Sequence, residues 1–312
     1  MRIKQFLIAV CVGTMLAACS SKEDYTTETE RVPIRINASI KGIKTRSEGQ
    51  EQLQNTSFVD EAEINVYVVD EGDNSAPGIP ESGYAVYKKN GSSWTSDATV
   101  YTFGSDMGMD VFAIYPSKDK DGNYITKNST TFEVEQEQKL DENYRKSDLM
   151  YATYSTSQPN IDLEFEHCLS KITVILSPSS EFTQEKLESK VGSIVLGAKR
   201  GATINANWGI QVTGTTSIPS GNLVTFNGSN DALCSTGVSC IIPPQEIAGN
   251  KTFIQIQYDD DSWFTFKSPS AGFNFKGGNE YIFTLTLEQT GVTLSDPTIQ
   301  GWTTNNHPGV AK

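Results

Sequence analysis

Cys19 is the residue whose surroundings most clearly specify a reaction. It follows Leu16-Ala17-Ala18, and ahead of these stand a basic start, Met1-Arg2-Ile3-Lys4, and an apolar stretch from Gln5 to Met15. Small side chains before the cysteine let a peptidase reach the backbone, and the thiol is a nucleophile that accepts diacylglycerol. The apolar stretch is too short to span a bilayer as a stable helix, which takes ~20 apolar residues, and its flanks are those of an export signal. Residues 1–18 are therefore expected to be removed and Cys19 to become a lipid-carrying first residue. An ordinary secretory signal with an incidental cysteine is the alternative. Residues 19–31 continue as Ser20-Ser21-Lys22-Glu23-Asp24, hold no apolar run and read as a hydrated, flexible tether.

The other reactive side chains do not assemble into a catalytic set. Cys168, Cys234 and Cys240 are an odd number and make no disulfide framework; Cys234 and Cys240 either bridge a hairpin or stay as buried thiols. His167 and His307 stand far apart without ligand spacing, which argues against a zinc enzyme or a histidine triad. No P-loop and no dinucleotide-binding glycine pattern is present. Asp259-Asp260-Asp261 offers the hard oxygen ligands that calcium takes, but three acids between Tyr258 and Trp263 read more simply as a hairpin turn. No metal, no cofactor and no enzymatic activity are expected. The chain has 25 Lys+Arg against 38 Asp+Glu, a net charge of −13. That lacks the basic footprint of a nucleic-acid binder and favours solubility outside the cell.

The elements that hold these residues are strands. In Val32-Pro33-Ile34-Arg35-Ile36-Asn37-Ala38-Ser39-Ile40-Lys41 the even positions are apolar, so Val32, Ile34, Ile36, Ala38 and Ile40 share one face. Pro33 suits a first or edge strand. A basic front, Gly42 to Ser47, and a polar run to Ser57 follow. Alternation predicts strands over 62–69, 84–88 and 93–103, the last two about an Asn90-Gly91 turn. A buried strand over 110–116 stops at Pro116, and 70–82 reads as a loop. Another element begins at 147–152. Strands are predicted again over 161–169, 171–176, 193–198, 209–212, 224–226, 238–242, 252–258, 263–266 and 281–287, with one short helix over 182–190. Scarce helical periodicity and closely spaced turn residues predict an all-β sandwich fold, with a seam near residue 160 dividing 32–160 from 161–312.

Leu16-Ala17-Ala18-Cys19 resembles the bacterial lipobox, and Ser20-Ser21-Lys22-Glu23-Asp24 resembles the surface-export signal that some Gram-negative bacteria place after it. Several later phrases stand in the order seen in the fimbrillin family, the subunits of type V pili. They are Lys44-Thr45-Arg46 after the first strand, Phe112-Ala113-Ile114-Tyr115-Pro116, Asp148-Leu149-Met150-Tyr151-Ala152, and Leu163 through Val174, with Cys168 where Ala is commoner. Ile241 to Gln245, Phe275 to Tyr281 and Ile299-Gln300-Gly301-Trp302 complete the set. The resemblance spans nearly the whole chain after the signal.

This resemblance implies two tandem transthyretin-like β-sandwich domains and a route of assembly. A lipidated precursor reaches the outer membrane, a protease cuts after a basic residue, and the first strand leaves. The slot then accepts a strand from another pilus subunit. Arg46–Ser47 is the favoured bond, with Lys44 and Arg31 as competitors, and Val32, Ile34, Ile36, Ala38 and Ile40 form the displaced strand. The donor is expected in the C-terminal stretch through Val292, Leu294, Ile299 and Trp302, unless that stretch closes its own sheet. Expected partners are other pilus subunits, the outer membrane through the lipid, and a ligand on a host or bacterial surface. The competing reading is a non-polymerising, glycan-binding surface lipoprotein that uses Trp94, Trp208 or Trp263 as platforms.

Overall fold

The computed structural model describes residues 32–41, 57–71, 73–77, 84–102, 108–207, 209–216, 223–259, 262–295 and 297–302. The signal, Cys19, the tether, Lys44, the Arg46–Ser47 bond, Trp208, Asp260, Asp261 and His307 lie outside them, as does Arg31. The fold is all-β, 53% strand and 7% helix, so its architecture is a matter of which strands pair.

The first half contains β1 (Arg35–Ile40), β2 (Glu63–Asp70), β3 (Asp73–Pro77), β4 (Ala85–Asn90), β5 (Ser93–Thr95), β6 (Met109–Tyr115), β7 (Thr131–Glu133), α1 (Asp141–Lys146), β8 (Met150–Thr156) and β9 (Asn160–His167). One sheet runs β1-β9-β8-β6-β2-β4-β5, with β3 beside β2. Part of the stretch expected as a loop over 70–82 is therefore a strand. β9 shows the period-two logic plainly: Ile161, Leu163 and Phe165 are buried while Asp162 and Glu164 meet solvent. β8 and β9 pair at Met150–His167 and Tyr151–Glu166, and beyond these positions they splay. β9 and β1 thus fold over the rest of the sheet, and both layers fill one core that includes Ile36, Val66, Val111 and Phe165. β6 is buried on both faces: Val111 and Ala113 enter this core, while Phe112 and Ile114 enter another.

The second half contains β10 (Ser170–Ser177), α2 (Gln184–Lys190), β11 (Val191–Gly197), β12 (Gly201–Asn205), β13 (Gln211–Thr216), β14 (Leu223–Thr225), β15 (Val238–Ile242), β16 (Glu246–Ile247), β17 (Thr252–Tyr258), β18 (Ser262–Lys267), β19 (Phe273–Asn274), β20 (Asn279–Glu288), β21 (Gly291–Leu294) and β22 (Thr298–Gly301). Two sheets, β15-β10-β20 with β21 and β22 on its edge and β14-β11-β17-β18, enclose a sandwich core built on Val174, Leu196, Ile256 and Phe283. The helix expected over 182–190 is α2, whose N-terminus Thr183 caps by accepting from the Lys186 N–H.

The halves are not independent. β7 of the first pairs with β12 of the second, and a third core joins Phe112, Ile114 and Phe132 to Ile204, Ile241 and Trp302. β9, at whose start the seam was expected, has both its partners, β1 and β8, in the first sheet.

Candidate functional site

β1 ends the first sheet. It lies parallel to β9, with Ile36 beside Ile161, Ala38 beside Leu163 and Ile40 beside Phe165. Its ladder is framed by the Arg35 N–H donating to Pro159 O at 2.7 Å and the Lys41 N–H donating to Phe165 O at 2.8 Å. On the other side only its leading residues are stitched: the Ile34 N–H donates to Val100 O, and the Thr102 N–H to Val32 O, each at 2.9 Å. Ile34, Ile36 and Ile40 are buried, Ala38 is half-buried, and Val32 is 43% exposed. Val32 therefore stands outside the row it was expected to share, because it precedes the strand and is held by its backbone alone. Outward, Asn37 donates to Asp162 and Lys41 pairs with Glu166, contacts too exposed to add much.

Burying three isoleucines is worth roughly 5–9 kcal/mol of gross transfer free energy, at ~1.5–3 each. That is comparable to the entire net stability of an ordinary domain, about 5–15 kcal/mol. The slot they fill is aromatic on its inner side, where Phe58 packs edge-on against Trp94 at 5.3 Å and Phe165 at 5.1 Å. Trp94 is thus a core residue, and no platform at the surface.

The C-terminal stretch occupies an edge of the second sandwich. β21 and β22 both pair antiparallel with β20, at Leu285–Glu288 and Asn279–Ile282. Val292 and Leu294 are half-buried against the second core. Ile299 is 63% exposed, whereas Trp302 is buried. The Trp302 ring lies flat on His167, 3.9 Å between centroids and 4° between planes, and the Trp302 backbone N–H donates to Gly278 O at 2.8 Å. His167 Nδ1 in turn bonds Asp148 Oδ1 at 2.8 Å, both side chains being buried. The β8–β9 pairing at Met150–His167 sets Asp148 beside His167, and the third core brings Trp302 from the far end of the sequence.

A second buried cluster fastens β22. Glu280 accepts from Thr173 Oγ1 at 2.6 Å and Gln300 Nε2 at 2.8 Å, with Lys171 Nζ at 3.2 Å. Burial pushes the Glu280 carboxyl up, but the Lys171 ammonium and the hydrogen bonds from Thr173 and Gln300 outweigh it, leaving it below the usual carboxylate range.

The remaining candidates are scattered. Cys168, Cys234 and Cys240 are free, and burial pushes the Cys168 and Cys240 thiols well up, which makes them poor nucleophiles. Of the acidic triplet, Asp259 forms the β17–β18 turn at φ +48° and pairs with Lys190 at 3.0 Å. Among the described residues no group of three His, Cys, Asp or Glu side chains is placed to share a metal. Trp263 on β18 is 49% exposed.

Crystal structures of candidate cell adhesion proteins share the fold. One from Bacteroides uniformis is 17% identical with a TM-score of 0.63, covering 88% of this chain and 99% of that one. One from Bacteroides ovatus is 15% identical with a TM-score of 0.65, covering 88% and 98%. A fimbrial protein from Bacteroides vulgatus aligns at 14% identity and a TM-score of 0.50, over 88% and 100%. No curated protein sequence matches the chain. The fimbrillin-like family model matches residues 45–302, from just beyond β1 to the buried Trp302, and the chain accordingly belongs to the fimbrillin-like family.

Proposed function

We propose that the protein is a structural, non-enzymatic subunit of a cell-surface fimbria, built from two tandem transthyretin-like sandwiches and assembled by strand exchange. It is exported as a lipoprotein on Cys19. Cleavage at Arg46–Ser47 frees β1, and a strand from another subunit takes the vacated place beside β9. The observation that carries this reading is β1 itself: an aliphatic strand at the end of its sheet, paired along its length on one side, lying wholly outside the family match that begins at residue 45.

Removing such a strand uncovers apolar pockets and a row of unpaired backbone groups. A strand from a neighbour satisfies both, with main-chain hydrogen bonds for affinity and alternating pockets for register. The C-terminal stretch is the proposed donor. In the single chain it completes its own sheet, so donation requires it to leave β20. Ile299, already in water, then gains most by burial in a neighbour.

Limited digestion with an arginine-specific protease tests this. A new N-terminus at Ser47 and detergent-resistant multimers are expected from the wild type, and neither from Arg46→Ala. A trimmed protein that loses residues 32–41 yet stays monomeric at high concentration would overturn the reading.

A further inference from the structure

We propose that β22 is a releasable latch: its Gln300 and Trp302 face holds the tail at home on β20, and its Ile299 face alone serves a neighbouring subunit. This rests on the strand-exchange reading and adds to it what restrains the donor. Side chains alternate between the faces of a strand, so Ile299 and Trp302, three positions apart, do not enter one row of pockets. Gln300 lies opposite Glu280, and Ile299 opposite Tyr281. Trp302 therefore shares the face of Gln300 and Glu280, toward the third core that joins the halves. A donor strand that turned Trp302 into the slot beside β9 would carry the Gln300 amide into an aliphatic row, which a buried polar group without a partner opposes. With Ile299 inward, both stay outside.

The home seat is good in shape and poor in polar pairing. The Trp302 ring stacks on His167, and Gln300 Nε2 donates to Glu280. Among the described residues, however, five buried side-chain polar atoms have no hydrogen-bond partner, and three of them, Trp302 Nε1, His167 Nε2 and Gln300 Oε1, lie where β22 docks. A buried donor or acceptor left unpaired costs its desolvation, and that cost is recovered when water reaches it. β22 is also only four residues long and pairs with β20 alone. β21, on the same edge, packs Val292 and Leu294 against the second core and holds none of the five atoms. β22 therefore opens first, ahead of the sandwich it borders, as a local unit of low stability. Opening exposes the Ile299 face to a neighbour, so a looser latch favours assembly.

Two measurements test the latch. The first is native-state hydrogen exchange on the uncleaved protein, which does not depend on assembly. The Trp302 amide, bonded to Gly278 O, should exchange about a hundredfold faster than the buried Phe283 amide of the same sheet, with weaker denaturant dependence. The second pins the strand. Because Gly278 and Trp302 form a hydrogen-bonded pair, the next pair, Asn279 and Gly301, is a non-hydrogen-bonded one with Cα atoms about 4.5 Å apart, close enough for a disulfide. The double variant Asn279→Cys/Gly301→Cys should exchange slowly at Trp302 and stay monomeric after cleavage when oxidised, and regain both properties on reduction. Trp302→Ala should assemble about fivefold faster than wild type once cleaved, since the open state is more populated. The proposal is overturned if the Trp302 amide exchanges only with global unfolding, if the oxidised double variant assembles like the reduced one, or if folded Trp302→Ala assembles more slowly, which would make Trp302 an anchor in the neighbour. A wild type that never assembles after cleavage removes the strand-exchange reading, and the exchange rates still decide whether β22 opens alone.

Discussion

Glu280 stands beside Lys171 because β10 and β20 pair in parallel register at that position. Both side chains are about nine-tenths buried, and the carboxyl titrates below its ordinary value. A carboxylate whose folded pKa is depressed stabilises the fold above its unfolded pKa, about 4.3 for Glu. That contribution is lost as the pH falls through the lower, folded value. Glu280→Gln should cost ~3 kcal/mol near neutrality by leaving Lys171 without its counter-charge. The gap between variant and wild type should narrow in acid, as read from urea midpoints at pH 7 and pH 3. A gap independent of pH would assign the effect to packing instead. Lys171 and Glu280 were both visible as residues of recognisable phrases, but nothing local joins positions so far apart. Cys240 is similar: the sequence left a bridge to Cys234 open, and the deep burial of one thiol in the second core was the missing fact.

β1 and β22 are edge elements with opposite accounts of their side chains. Ile36 is buried, so Ile36→Ala should destabilise the single chain by about 2–5 kcal/mol. Ile299 is in water, so Ile299→Asp should leave stability within ~0.5 kcal/mol while suppressing multimer formation after cleavage. Denaturation curves and sedimentation of the cleaved protein separate the two effects; an Ile299→Asp variant that still assembles would exclude this stretch as the donor. The alternation in Arg35–Ile40, the β17 strand and the α2 helix were legible because each is a long enough periodic run. β3, β7 and α1 were not. β7 is three residues that become a strand only by pairing with β12. α1 buries only Tyr144 and is shaped by acids in its first turn and bases in its last. The parallel partner of β1 was equally hidden, since pairing across more than a hundred residues leaves no mark on either strand.

At the scale of the molecule, the shared β7–β12 pairing and the third core join both halves. Thermal unfolding should therefore be a single transition, and Ile241→Ala should lower it as one. Two separated transitions in calorimetry would show that the halves fold apart. The all-β class of the halves followed from the spacing of turns. The joint between them did not, because Phe112, Ile241 and Trp302 look like ordinary apolar residues of their own segments. Trp302 seals that joint from outside, its ring flat on His167. Were a subunit to lend this tail to a neighbour, as proposed, the ring would leave His167 and the joint between the halves would slacken. A fibre assembled in that way would bend within its interior subunits, while the one copy whose tail stays home would remain stiff at the end.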